Sequence, residues 1–452
     1  MPMKSSTKAG TTKIRSHGLR IPGRALLSIL GLLALFLGTA GQAPNPLIEE
    51  LRSPNADHRA KAANELGKKG ESSAVPALTA ALNDPSAKVR REVVVALAEI
   101  RGGASLDGLI TASRDTDPQV RVVAVDALSE YYLGRAPSIG LMGSLKHATE
   151  TGAEDSVRID PGVTVDPKVI AALQVALEDT RSIEAARHAA KGLGVLIAKS
   201  SVPALVKAAH SPDDDLAREA LKSLSKIKDP SAGPQLVDLL QSSKKAVKQE
   251  AVLTIGILRT RSAASQLQLL AQNYYQDKKT RRNAFEGLTY IGDPASYELF
   301  TRTLGEKDKT YRAYAAQGLG RINDKRAIPE LEKALAAETE GAARLAEEFA
   351  LTKLGESKMG ELVAGLGSSD WQPALAYLIE LGGNPQVATL LPTYLQNKDA
   401  NIRRRLCTVL MFVGNAASVA PLEQASKDSN NDVAAQALRA LRAVRTRTSG
   451  TT

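Results

Sequence analysis

Val89-Arg90-Arg91-Glu92-Val93-Val94-Val95-Ala96-Leu97 is answered 31 residues later by Val120-Arg121-Val122-Val123-Ala124-Val125-Asp126-Ala127-Leu128. Both runs open Val-Arg and close Ala-Leu. The closing leucine position recurs at Leu66, Leu97, Leu128, Leu193, Leu224, Ile255, Leu288, Leu319, Leu351, Leu378, Leu410 and Leu441. The steps between these anchors are 31, 31, 65, 31, 31, 33, 31, 32, 27, 32 and 31 residues. A period held this closely is the mark of a stacked repeat, in which each unit buries its apolar face against its neighbours. Counted from the anchor, apolar residues fall at −8, −4, −3, −1, 0 and +3. At about 100° per residue these slots share one side of a helix.

A second, shorter helix is expected ahead of most anchor helices, opened by proline in Val75-Pro76, Val202-Pro203, Gly233-Pro234, Asp293-Pro294, Ile328-Pro329 and Ala420-Pro421. Proline suits a first helical turn because its missing N–H has no partner to lose there. Each unit therefore reads as a helical hairpin. The unit ending at Leu378 is short, and the one at Leu351 places Glu347 and Glu348 in apolar slots.

Asp84-Pro85-Ser86-Ala87-Lys88-Val89-Arg90 and Asp115-Thr116-Asp117-Pro118-Gln119-Val120-Arg121, each followed by small residues and Ala-Leu, resemble the HEAT-like repeat of the phycobilisome-lyase type. The resemblance runs over roughly residues 46–445. It implies an all-α fold: a right-handed α-solenoid, an armadillo/HEAT-like superhelix of about twelve helical hairpins. On activity it implies little, since the same repeat serves lyase subunits, scaffolds and adaptors. Some HEAT-like proteins are di-iron hydroxylases that bind iron through His-Glu pairs. This sequence contains no His-Glu dipeptide, and His58, His147, His188 and His210 share no slot. No nucleophile elbow, zinc-protease motif or phosphate loop occurs either, so neither a catalytic set nor a cofactor is expected.

The net charge of +10 is concentrated at the two ends. Residues 1–41 carry six bases and no acid, residues 433–452 four bases and no acid, and 10 − 6 − 4 leaves residues 42–432 formally neutral. Recognition of nucleic acid through its phosphates needs a basic folded body, so that class is disfavoured. The N-terminal bases end at Arg24 and are followed by the apolar run Ala25–Leu37 and then by Gly38, Thr39, Ala40 and Gly41. That order is the signature of a secretory signal peptide over residues 1–41, and it predicts a periplasmic or extracellular protein. Thirteen apolar residues reach about 20 Å as a helix, short of a hydrocarbon core. Left uncleaved, the same run is an N-terminal membrane anchor. The single cysteine, Cys407, leaves no internal disulfide and falls in core slot −3.

Eight units carry a base at −7: Arg59, Arg90, Arg121, Lys248, Arg281, Arg312, Arg344 and Arg403. At the edge of the buried face, such side chains are expected to form a structural ladder. Slot −6 points away from the core and holds Arg91, Arg187, Arg218, Arg282 and Arg404, with Lys191 and Lys222 at −2. If the second helices line the concave side, these residues make a broken basic stripe there, open to an acidic or extended protein partner. The alternative is ordinary solvated charge offset by Glu92, Glu219 and Glu286. Tyr314, at an edge slot near Arg282 and Lys278, is expected to be exposed and to join this surface, since aromatics and arginine dominate binding hot spots. Asp213-Asp214-Asp215 reads as the cap of a following helix.

The 65-residue step exceeds one period by about 34 residues, which defines an insertion over 133–166. Its end, Val157–Val165, alternates around Pro161-Gly162 and suggests a β-hairpin; a decayed repeat is the alternative. The expected organisation is three repeats over 42–132, the insertion, nine repeats over 167–445, and a disordered tail over 446–452. The functional expectation is an exported, non-catalytic scaffold that binds proteins on its concave face. An accessory subunit of a lyase or other modifying enzyme is the alternative, and a nucleic-acid-binding solenoid is disfavoured.

Overall fold

The computed structural model describes residues 45–133 and 157–449; residues 1–41, read above as a signal peptide, and most of the insertion lie outside the described residues. Twelve helices carry the twelve anchors: Ala56–Lys68, Ala87–Ile100, Pro118–Glu130, Ile183–Val195, Asp214–Ile227, Lys245–Ile257, Lys278–Ile291, Lys309–Ile322, Gly341–Leu354, Trp371–Leu381, Ala400–Val413 and Asn431–Ser449. Every anchor is buried, and none exceeds 6% exposure. Eleven residues before the anchor, a side-chain oxygen of Asn55, Asp117, Ser182, Asp213, Asp277, Asp308 or Asp399 accepts a backbone N–H of the first turn. These N-caps fix where the anchor helices start, so the register of the apolar slots follows from the chain itself. Each anchor helix is preceded by a shorter partner, for example Val75–Ala81, Val202–Ala209 and Ile328–Ala337, with proline in the first turn. The result is an all-α solenoid.

Pro234 departs from expectation. It lies inside a 3-10 run, Pro230–Gln241, instead of opening an α-helix. Pro230 and Pro234 stand four residues apart, and a second ring there is incompatible with i→i−4 bonding to the residue-230 carbonyl.

Small residues set the spacing between units. The residue after the anchor meets the residue before the next anchor, as in Gly67 against Ala96, Gly194 against Ser223, Gly256 against Gly287 and Gly320 against Ala350. A Cβ on Gly256 would lie 2.2 Å from the Gly287 Cα, so the two backbones touch only because Gly256 has no side chain. Successive anchor helices consequently pack directly on one another along the stack, while the shorter helices touch each other far less.

Curvature brings distant parts together. Glu380 lies 3.6 Å from Arg259 and 2.9 Å from Arg321, across several units. Residues 157–166 span a still longer separation in sequence. The Ile159 N–H donates to the Val195 carbonyl at 3.0 Å. The Asp160 carboxylate accepts two hydrogen bonds from Arg439 Nη2, at 2.6 and 2.8 Å, and the Arg158 guanidinium lies 4.4 Å above the Phe412 ring. This segment straps the fourth unit to the last two.

Two expectations are corrected here. The described part of the insertion forms no strand. It makes one turn at Pro161-Gly162, closed by Val163 N–H to Asp160 C=O at 3.2 Å, with Gly162 at φ +87°. Its backbone and side chains are engaged by the fourth and last units, so no second strand is paired. The tail expected from residue 446 is helical through Ser449. Arg447 holds it there by donating to the carbonyls of Met411, at 2.7 Å, and Gly414, at 2.5 Å.

Candidate interaction surface

Four of the eight bases at −7 form the expected ladder. Arg90 donates from Nε and Nη2 to both oxygens of Asp115, at 2.8 and 2.7 Å, and from Nη1 to the Asp84 carbonyl at 2.9 Å. Arg59 with Asp84, Arg312 with Glu338, and Arg403 with Asp428 repeat this arrangement, each reaching an acid 25 or 26 residues ahead. A planar guanidinium that grips the next unit's loop with one edge and its own loop with Nη1 ties successive hairpins together. The series is interrupted at Arg121 and at Arg281. Arg121, just before the insertion, is nearly buried and 3.6 Å from Asp179, which Arg181 already engages at 2.8 Å. Arg281 forms no such pair, although Glu306 stands 25 residues ahead, and it stacks 4.6 Å above the Tyr274 ring.

The predicted stripe separates into parts. Arg187, Lys191, Arg218 and Lys222 converge with His188, Asp215 and Glu219 around one open depression of about 370 Å³ on the row of anchor helices. They arrive from two consecutive anchor helices, Ile183–Val195 and Asp214–Ile227, whose −6 and −2 slots lie one helical turn apart. Asp215 is shared by Arg187 and Arg218 at 3.2 Å each. Burial works against protonation of His188, but the Asp126 carboxylate at 2.6 Å raises its pKa above the ordinary value. Arg91, beside Glu92 at 3.5 Å, Arg282 and Arg404 belong to other units and do not line this depression.

Tyr314 is half-buried, not exposed. Its hydroxyl donates to Glu286 at 2.6 Å and its ring stacks on Phe285 at 6.5 Å. The exposed aromatics are instead Tyr274 and Tyr275, in the loop before Lys278–Ile291. Their position outside the repeat slots was the available sequence signal. Cys407 is fully buried, and burial pushes its thiol up to about 12, which leaves it unreactive.

Glu347 and Glu348 are also buried, in a helix that forms across the whole unit. Glu348 is 3.3 Å from Arg344, whereas neither oxygen of Glu347 has a hydrogen-bond partner. Burial, reinforced by the Glu338 carboxylate, pushes Glu347 up to about 8, so it is mainly protonated at neutral pH. Among the described residues no three of His, Cys, Asp and Glu group as metal ligands, and no helix is long and apolar enough to cross a membrane.

Three solved structures are similar to the chain over much of its length. The complex of CpcE and CpcF of phycocyanin lyase from Nostoc sp. PCC7120 is 19% identical, with 61% of this chain and 94% of that one covered and a TM-score of 0.35. An engineered protein is 18% identical, with 88% and 98% covered and a TM-score of 0.36. YibA of Escherichia coli is 16% identical, with 76% and 100% covered and a TM-score of 0.39. No curated protein sequence matches at a significant level. The model of HEAT repeats matches residues 44–129, 170–256, 202–276, 265–352 and 360–442, well over half of the sequence, and the chain belongs to the HEAT-repeat family.

Proposed function

We propose that this chain is an exported, non-catalytic scaffold that holds an acidic, extended segment of a protein partner on its row of anchor helices. The carrying observation is the depression lined by Arg187, Lys191, Arg218, Lys222 and His188 against only Asp215 and Glu219. Packing does not require bases at −6 and −2, and a rigid helical platform presents them without ordering cost. Charge on such a surface steers association and selects partners of opposite sign. Export is supported by the apolar run Ala25–Leu37 behind six bases.

The test is cross-linked recovery of partners from the envelope fraction, comparing the natural chain with the Arg187→Glu/Arg218→Glu variant at low and high salt. Recovery should fall by about tenfold or more in the variant, and its salt response should flatten, with helical circular dichroism unchanged. Equal recovery with equal salt response would refute the stripe. Export is checked by sequencing the secreted protein, whose N-terminus should be Gly41 or Gln42.

A further inference from the structure

The densest charge cluster in the described residues lies at the C-terminal ends of the anchor helices, on the opposite end from the caps. Arg321, nearly buried, donates to Glu380 at 2.9 to 3.2 Å and packs its guanidinium over Tyr290 at 4.7 Å. The same carboxylate faces Lys353 at 3.4 Å and Arg259 at 3.6 Å. One carboxylate is therefore shared by three cations from three different units. Lys228 adjoins them: burial first, then the charges of Arg158 and Arg259, lowers its pKa. Glu380, despite its burial, is held low by the surrounding Arg321, Lys353 and Arg259.

A cavity of about 490 Å³ opens beside this cluster, lined by Arg259, Arg261, Tyr290, Arg321, Lys353 and Glu380 among others. That is the size of a small-molecule site. No hydrogen bond within the described residues engages the Tyr290 hydroxyl, which leaves a neutral donor on the wall. A cation at a helix C-terminus is individually favourable. Helix-end preference accounts for one base per unit; it does not account for several converging on a single acid.

We propose that this cavity binds a small ligand bearing two or more oxyanion groups, carboxylate or phosphate. Arg321 stays on Glu380 and orders the wall. Arg259 and Lys353, held only by longer contacts, turn to the ligand together with Arg261 and the Tyr290 hydroxyl. Guanidinium groups suit both anions because their paired N–H groups match two oxygens of either. This site is separate from the Arg187–Lys222 depression and stands or falls independently of it.

Titration calorimetry of the full mature chain with citrate and with inorganic pyrophosphate tests the proposal. At least one should bind with Kd of about 1 mM or tighter, and which one binds tells carboxylate from phosphate. Arg259→Gln and Lys353→Met should each weaken that binding by about tenfold with helicity unchanged, while Arg218→Gln should leave it alone. Absence of binding by both anions at about 10 mM, or binding indifferent to both cavity variants, would overturn the proposal. So would capture of an acidic peptide with no response to either small anion.

Discussion

The units around Arg90 and those around Glu347 bury charge in opposite ways. In the first stretch, Arg59 and Arg90 are largely covered, yet every guanidinium edge meets a carboxylate or carbonyl. In the second, Glu347 occupies an apolar slot and both of its oxygens lack a partner. The repeat tolerates a buried charge wherever its period delivers the opposite charge at the right offset, here an acid 25 residues on. Where the offset delivers nothing, the group gives up its charge instead. Regularity thus neutralises the first stretch by pairing and leaves the second dependent on a proton.

The largest way to break the contrast is Arg90→Met. It leaves Asp115 and the Asp84 carbonyl without their donor and should cost about 3 kcal/mol. Hydrogen exchange should show the loss first in Ala87–Ile100 and Pro118–Glu130, because neighbouring units share one interface. Unchanged protection there would mean that the ladder is decorative.

Glu347→Gln sharpens the other side. The folded chain keeps a proton on Glu347 to about pH 8, whereas the unfolded chain releases it near the ordinary glutamate value of 4.5. The folded state binds more protons, so stability falls as pH rises between those values. The substitution should remove that slope and stabilise Gly341–Leu354 by about 2 kcal/mol at pH 8, with little effect at pH 4. The Arg90 stretch should respond on the acid side. Arg59 holds Asp84 below the ordinary carboxylate range, and Arg90 does the same for Asp115 against its burial. Their contribution is present above about pH 4 and is lost as pH falls further. Exchange measured at both extremes should therefore weaken different ends of the stack; uniform weakening would dissolve the distinction.

The smallest expected effect is Arg282→Glu, an exposed side chain outside both charge clusters. It should change the stability read from thermal unfolding by no more than about 0.5 kcal/mol. A larger change would point to packing that its slot does not suggest.

What was legible in the chain was whatever repeats. The anchors, the caps at Asp117 and Asp213, the buried Cys407 and the −7 ladder all follow from local periodicity, because a residue's slot fixes which way it points relative to its own helix. Tyr314 was misjudged because its slot is polar elsewhere in the repeat, and no slot comparison shows that Glu286, 28 residues earlier, waits to receive its hydroxyl. Half of the basic stripe came together for the same reason the fold did: Arg187, Lys191, Arg218 and Lys222 stand on adjacent units in register.

The sequence by itself determined the helices, their number, their starts and their buried faces, since these depend on neighbours within one period. Only the tertiary structure decided what crosses many units: Arg259 beside Glu380, and Asp160 beside Arg439, 279 residues away. Those meetings depend on the curvature accumulated over the stack. Close backbone contacts such as Gly256 on Gly287 set that curvature a little at each step. A small rotation per unit leaves no pattern in any single repeat, yet summed over successive hairpins it decides which distant charges face one another.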